Sequence, residues 1–215
     1  MPYNVDIPGF MSIPDLEVLE QLAQQVPAKG IIVEIGSFMG RSSWTLAKSC
    51  DSSVQVHCVD PWPKYTLTDE DLESMAGYTE GLKLEFSTFK KNVQDCPNIT
   101  AIEGCSTEVE WPEDKLIDLL FIDGDHESPG VENDMECWFK RLKPEGILVG
   151  HDFNLASFPD VCRAVISKAE KENLAFKLFE SSAIWLIEKD SDLFKHLGWT
   201  PNEETIDKIK RILYG

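Results

Sequence analysis

Three groups of side chains able to do chemistry stand at the ends of short apolar runs in this sequence: Asp60, Asp123-Gly124-Asp125-His126, and His151-Asp152. Random placement would seldom put carboxylates and imidazoles at three such points. An imidazole titrates near neutral pH, which makes His126 and His151 general-base candidates. The structural alternatives are a His126 that caps the helix after it and a His151 that hydrogen-bonds in the core. A fourth feature is the pair Gly36 and Gly40, which follows the apolar run Ile31-Ile32-Val33-Glu34-Ile35. Gly36 would let the chain turn sharply with positive φ, and Gly40 would remove a side chain that blocks close approach of a ligand. An ordinary strand-to-helix turn is the alternative. Asp60 lies 24 residues beyond Gly36. At the tip of a second strand, a carboxylate at this spacing can accept hydrogen bonds from both ribose hydroxyls; otherwise Asp60 caps a turn with Pro61. Glycine loop and acid together point to a nucleoside cofactor.

Positioning such groups requires strands that alternate with helices. Residues 31–35 read as a strand buried on both faces, as in a parallel sheet. Further strands are predicted at 54–59, 99–102, 117–122 and 147–149, with two closing strands at 175–179 and 183–187 paired antiparallel through Glu180-Ser181-Ser182. Helical spacing marks 12–26, with Ser12 as N-cap, Pro14 in the first turn and Pro27 as the stop. The same period marks about 84–93, 129–142, 160–172 and 203–214. Lys143-Pro144-Glu145-Gly146 is read as the turn that closes the helix at 129–142. The terminal helix either docks on its own domain or pairs with a second subunit, which would make a homo-oligomer. Residues 63–84 are the least regular stretch. They carry the acidic run Asp69-Glu70-Asp71-Leu72-Glu73, read as a solvated face, and are long enough to form a lid. The expected class is α/β: an open, mostly parallel sheet with helices on both faces and ligands at the carboxyl ends of the strands. Residues 1–215 form one expected domain, with 1–30 as an N-terminal segment and helix and 190–215 as a helical extension.

Composition narrows the partners. With 20 basic against 38 acidic residues and a net charge of −18, the chain lacks the basic surface that phosphate backbones require. No nucleic acid is expected, and a small-molecule substrate is. No run of about 18 apolar residues crosses a membrane, and the first residues lack a secretory layout. The six cysteines are scattered with no Cys-x-x-Cys pair, which reads as reduced thiols in a cytoplasmic protein with neither disulfide frame nor zinc site.

The segments Val33 to Ser43, Val59-Asp60-Pro61-Trp62, Glu103-Gly104-Cys105-Ser106, Phe121 to Val131 and Leu142 to Phe153 come in one order. In that order the chain resembles a class I S-adenosylmethionine-dependent methyltransferase. The similarity is greatest to the small-molecule O-methyltransferase branch that pairs a Val-Glu-Ile-Gly-Ser loop with a Phe-Ile-Asp-Gly-Asp-His strand end, and it covers roughly residues 12–190. The resemblance implies a Rossmann-like fold with a seven-stranded sheet and an antiparallel C-terminal strand pair. It also implies S-adenosyl-L-methionine as cofactor and methyl transfer to a small-molecule hydroxyl. Gly36, Ser37 and the backbone to Gly40 would face the methionine portion, and Glu34 its ammonium. Asp60 would bind ribose, and Cys105 and Ser106 the adenine. Trp62 would either lie flat beside adenine or serve as a core or lid aromatic. Asp123 would also adjoin the cofactor. Metal-dependent relatives place ligands after strands four and five, which implies Asp123 and Asp152 with His151 beside them, holding Mg2+ or another divalent cation. Here the catechol-type Asp-Asn after strand five is replaced by His-Asp, which leaves the metal and its coordination open. Catalysis would fall to His126, His151 and Asp123.

The rivals are a nicotinamide dehydrogenase, a methyltransferase-fold protein with hydroxylase-like or aminopropyl-transfer chemistry, and a cofactor-binding module without activity. The dehydrogenase favours Gly-x-Gly-x-x-Gly, whereas this loop holds only Gly36 and Gly40.

Overall fold

In a computed structural model, residues 3–62, 85–188, 193–200 and 202–214 are described. The expected lid and its acidic run, within 63–84, lie outside the described residues. Seven strands, β1 (Ile31–Ile35), β2 (Gln55–Asp60), β3 (Ile99–Glu103), β4 (Ile117–Ile122), β5 (Leu142–Gly150), β6 (Ala175–Leu178) and β7 (Trp185–Glu188), form the mixed, mostly parallel sheet flanked by helices that the sequence predicts, in the order β3-β2-β1-β4-β5-β7-β6. By chain contacts the molecule divides into two units, Met1–Trp111 and Pro112–Gly215.

The first unit opens with helix α1, Ile13–Ala23. Ser12 and Asp15 form a reciprocal capping box, which satisfies two backbone donors that the first turn leaves bare. Leu16, Leu19 and Leu22 are fully buried along one face; each contributes about 1.5–3 kcal/mol by leaving water. The α-helix stops at Ala23, short of Pro27, and residues 24–26 continue as turns, with bonds from Gln25 N to Leu22 O and from Val26 N to Ala23 O. Strands β1 (Ile31–Ile35), β2 (Gln55–Asp60) and β3 (Ile99–Glu103) run parallel, with Ile35 opposite Val59 and Asp60 opposite Glu103. Helix α2, Arg41–Ser49, follows β1, and α3, Phe86–Asn92, precedes β3.

The second unit is built on β4, Ile117–Ile122, in which every residue is buried. Such a strand reads as a continuous apolar run with one exception, Asp118, whose carboxylate needs a partner in the interior. Lys143 supplies it at 2.7 Å. Lys143 belongs to β5, Leu142–Gly150, which begins five residues earlier than the sequence suggests. Leu142 pairs with Ile117, then the ladder skips to Ile147 opposite Leu119. Residues 143–146 are thus an irregularity inside a strand, not the turn predicted there. Pro144, which has no N–H to give, is tolerated at such a break in the ladder. Helices α4 (Gly130–Phe139) and α5 (Pro159–Glu172) flank these strands. The closing strands β6 (Ala175–Leu178) and β7 (Trp185–Glu188) pair antiparallel as predicted, and β7 also pairs antiparallel with β5. A short helix α6 (Leu193–His196) and the terminal helix α7 (Glu203–Tyr214) follow. Lys210 of α7 pairs with Glu170 of α5, so the helix rests on its own unit, while Ile212 and Tyr214 remain exposed. Among the described residues no helix is long and apolar enough to cross a membrane.

Candidate functional site

In the first unit, β1 ends at Ile35 and the chain turns through three left-handed residues: Gly36 at φ 82°, Phe38 at φ 47° and Gly40 at φ 93°. Gly36 donates its N–H to Val59 O, and Gly40 to Ser37 O. Asp60 organises the rest. Its Oδ2 accepts the N–H groups of Ser37 and Phe38, both at 2.9 Å, and its Oδ1 accepts Trp62 N at 2.7 Å. Of the two roles the sequence allows Asp60, turn cap or ribose ligand, the cap is present, and the two loop amides are an addition that no spacing rule suggests.

Two of the residues expected near the cofactor pack against protein here. Gly40 does clear space, but protein fills it: a Cβ at this position would lie 2.7 Å from Val93 Cγ1 and 3.2 Å from the Phe89 ring. Trp62 is fully buried, stacked on Phe86 with centroids 4.8 Å apart and set against Phe89 at 4.6 Å. Its indole N–H donates to Phe38 O at 2.6 Å. It is the core aromatic rather than an open platform for adenine, because a large ring with one polar atom is most stable where that atom finds a partner and its faces leave water.

Glu34 lies within β1 and is completely buried. Its Oε2 accepts the hydroxyls of Ser37, at 2.7 Å, and Ser43, while Oε1 is buried with no hydrogen-bond partner. Burial raises the carboxyl pKa above its ordinary value, against the hydroxyls of Ser42, Ser43 and Ser37. A sequestered oxygen without a donor is costly. It is also the acceptor an ammonium ligand requires, so the residues fit a cofactor with a cationic amine. After β3, Gly104 N donates to Asp60 O, which brings Cys105 and Ser106, both half-buried, to the same strand ends. Cys105 Sγ lies 3.3 Å from Thr107 Oγ1. The unit thus gathers Glu34, Gly36, Ser37, Gly40, Asp60, Cys105 and Ser106. Sequence reasoning passed over Phe38 and Arg41, treated below. Arg41 carried a readable sign: a cation in the first turn of a helix opposes the macrodipole and needs another reason to be there.

In the second unit the pairing of Ile122 with Gly150 sets Asp123 beside His151. Trp185 fixes this corner, with its indole N–H bonded to His151 O at 2.9 Å and its ring so close to Gly150 that no Cβ would fit. His151 is 8% exposed, and its Nδ1 lies 3.2 Å from Asp152 Oδ1 and 3.5 Å from Asp123 Oδ1. Asp152 holds a left-handed φ of 62°, a conformation unusual outside glycine and most tolerable for Asp or Asn. His126 Nε2 sits 2.7 Å from Asp152 Oδ2, an ion-pair contact. The His126 ring also lies against Phe158, centroids 4.9 Å apart. It does not cap α4, whose N-cap, Pro129, has no side-chain bond.

The charges interlock. Burial opposes a charge on His126, but Asp152 against it and Asp123 nearby outweigh burial and raise its pKa. Burial would raise Asp152, yet His126 and His151 hold it well below the carboxylate range. Burial raises Asp123, with His151 pulling the other way. Asp123, His126 and Asp152 each offer one ligand atom within 4.8 Å of the others, a donor set able to hold a divalent cation. The expected set had His151 in place of His126. His151 is instead the buried imidazole that braces both carboxylates.

A family model described as a methyltransferase domain matches residues 33–153, more than half of the chain. Among solved structures, a Staphylococcus aureus protein provisionally described as a caffeoyl-CoA O-methyltransferase is similar at a TM-score of 0.60 and 16% identity, covering 86% of this chain and 87% of that one. The O-methyltransferase NovP is similar at 0.58 and 14%, covering 84% and 81%. CalS11, a calicheamicin methyltransferase, is similar at 0.58 and 14%, covering 80% and 76%. At these identities the likeness shows a shared fold.

Proposed function

The chain belongs to the methyltransferase-domain family, which makes it an S-adenosylmethionine-dependent enzyme, and we propose that it methylates a hydroxyl of a small molecule with the help of a divalent cation. The observation that carries the reading is the convergence of Asp123, His126 and Asp152, hard oxygen donors and an imidazole at the ends of consecutive strands. The neighbours described as O-methyltransferases, one of them a TDP-rhamnose 3'-O-methyltransferase, support oxygen as the acceptor. When bound, the cofactor supplies an electrophilic methyl group on a sulfonium, and the cation lowers the pKa of the acceptor hydroxyl.

The chain's own residues do the rest. Glu34 would receive the cofactor's ammonium, with Oε1 the oxygen left for it, and Ser37 and Ser43 hold that carboxylate still. Asp60 fixes the loop amides, and any contact to ribose adds to those bonds. Asp123 and Asp152 would hold the cation, which leaves His126 to take the acceptor's proton: its side chain is 36% exposed against 8% for His151, and pairing with Asp152 strengthens it as a base. His151 keeps Asp123 and Asp152 in register.

Methyl transfer is to be assayed with catechols, sugars and polyketide hydroxyls as acceptors, with magnesium and with EDTA. The expected result is oxygen methylation that EDTA abolishes, with Asp123→Asn lowering turnover far more than affinity for S-adenosylhomocysteine. Full activity in EDTA would end the metal part of the reading, and methylation confined to nitrogen or carbon acceptors would end the rest.

A further inference from the structure

Arg41 stands at the first position of α2, immediately after the glycine loop, where the helix dipole disfavours a cation. Its guanidinium turns back onto the N-terminal segment. Nε donates to Ile7 O at 2.7 Å, Nη1 to Met11 O at 2.8 Å and Nη2 to Val5 O at 3.4 Å. Gly9 lies over the same side chain, so close that a Cβ there would meet Arg41 Cβ at 3.3 Å. Ile7 and Met11 anchor the segment by burial, whereas Val5 and Phe10 stay exposed. Phe10 leans on Phe38, ring centroids 5.4 Å apart.

Among the described residues Phe38 is therefore gripped by its N–H, its carbonyl and its ring. Its N–H is held by Asp60, its carbonyl by the Trp62 indole, and its ring by Phe10. It keeps a left-handed backbone that a bulky residue adopts only when its surroundings impose it. A planar fork that reaches three carbonyls at once is a task for arginine, which lysine fills only in part.

We propose that Arg41 is a positioning residue of the cofactor site: it clamps residues 5–11 as a strap against Phe38, so that ordering of the strap and binding of the cofactor support one another. The inference rests on the reading of this loop as the cofactor site. The loop of residues 36–40 keeps its course past Glu34 only while Phe38 holds its strained conformation, and among the described residues the strap is one of the groups that hold it. Occupancy of the loop stabilises that conformation and hence the strap. Loss of the clamp weakens binding, because ordering that the clamp supplies beforehand must then accompany binding.

The test measures S-adenosylhomocysteine affinity by titration calorimetry and chymotryptic cleavage after Phe10 by mass spectrometry, with and without that ligand. In the native protein the ligand is expected to slow this cleavage. Arg41→Ala is expected to weaken affinity about tenfold and to abolish the protection, while Arg41→Lys recovers part of both. Affinity within twofold of native and intact protection in Arg41→Ala would overturn the proposal. If Arg41→Ala does not fold, Phe10→Ala decides, since Phe10 is 46% exposed and its removal leaves the core intact. It is expected to weaken affinity and protection in the same direction, and no change in either would overturn the clamp. A native protein that ignores S-adenosylhomocysteine altogether would instead bring down the cofactor reading, a distinct result.

Discussion

At Glu34, burial and ionisation oppose each other. The carboxyl is sealed in β1 with one oxygen satisfied by two hydroxyls and the other empty-handed, and burial raises its pKa. For an acid raised in the folded state, the unliganded protein retains the proton over a window above the usual carboxylate value. An ammonium placed against Oε1 favours the anion and lowers that pKa, so cofactor binding within the window must release a proton. Calorimetry in buffers of different ionisation enthalpy should therefore show proton release in the native protein and none in Glu34→Gln, whose affinity falls as well; equal proton release in the variant would remove Glu34 from this role. At this scale residue types are legible in the chain but their partners are not. Asp60 was legible as an acid at a strand tip, yet its bonds to Ser37 N, Phe38 N and Trp62 N depend on loop geometry that no spacing encodes. The same holds for His126 and His151, whose exchange between base, brace and ligand is decided by rotamer and burial.

At the scale of elements, hydrophobic period located the strands and most helices because each presents a continuous apolar run or stripe to the core. It failed where a ladder is irregular. The stretch Lys143-Pro144-Glu145-Gly146 has turn composition, but Leu142 pairs with Ile117 and Lys143 neutralises the buried Asp118, so the strand continues through it. Long-range pairing and one ion pair outweigh local propensity there. The loop between β1 and α2 shows the reverse, a local signature whose purpose lies elsewhere. Gly40 is required by its φ of 93° and by contact with Val93 and Phe89 of the α3 region. Gly40→Ala is expected to cost about 2 kcal/mol, from left-handed strain and overpacking together, which lowers Tm by about 4–8 °C. A melting temperature within a degree of native would show that the loop and α3 adjust without strain.

At the scale of the molecule, the seven-stranded mixed sheet with its antiparallel close was legible in the order of predicted elements, since alternation of strand and helix leaves few other arrangements. The charge of −18 belongs to this scale too. A surface so acidic repels phosphate backbones, most strongly at low salt where screening is least. The chain is expected to leave ribosomal RNA fragments and duplex DNA unshifted in low-salt gels, and retention of either would contradict a small-molecule acceptor. The central claim, that the loop from Glu34 to Gly40 with Asp60 grips an adenosyl cofactor bearing an ammonium, meets its most direct test in titration calorimetry with two ligands. The account predicts one-to-one binding of S-adenosylhomocysteine, weakened in Glu34→Gln, and no heat from NADH; binding of NADH, or silence with S-adenosylhomocysteine, would contradict it.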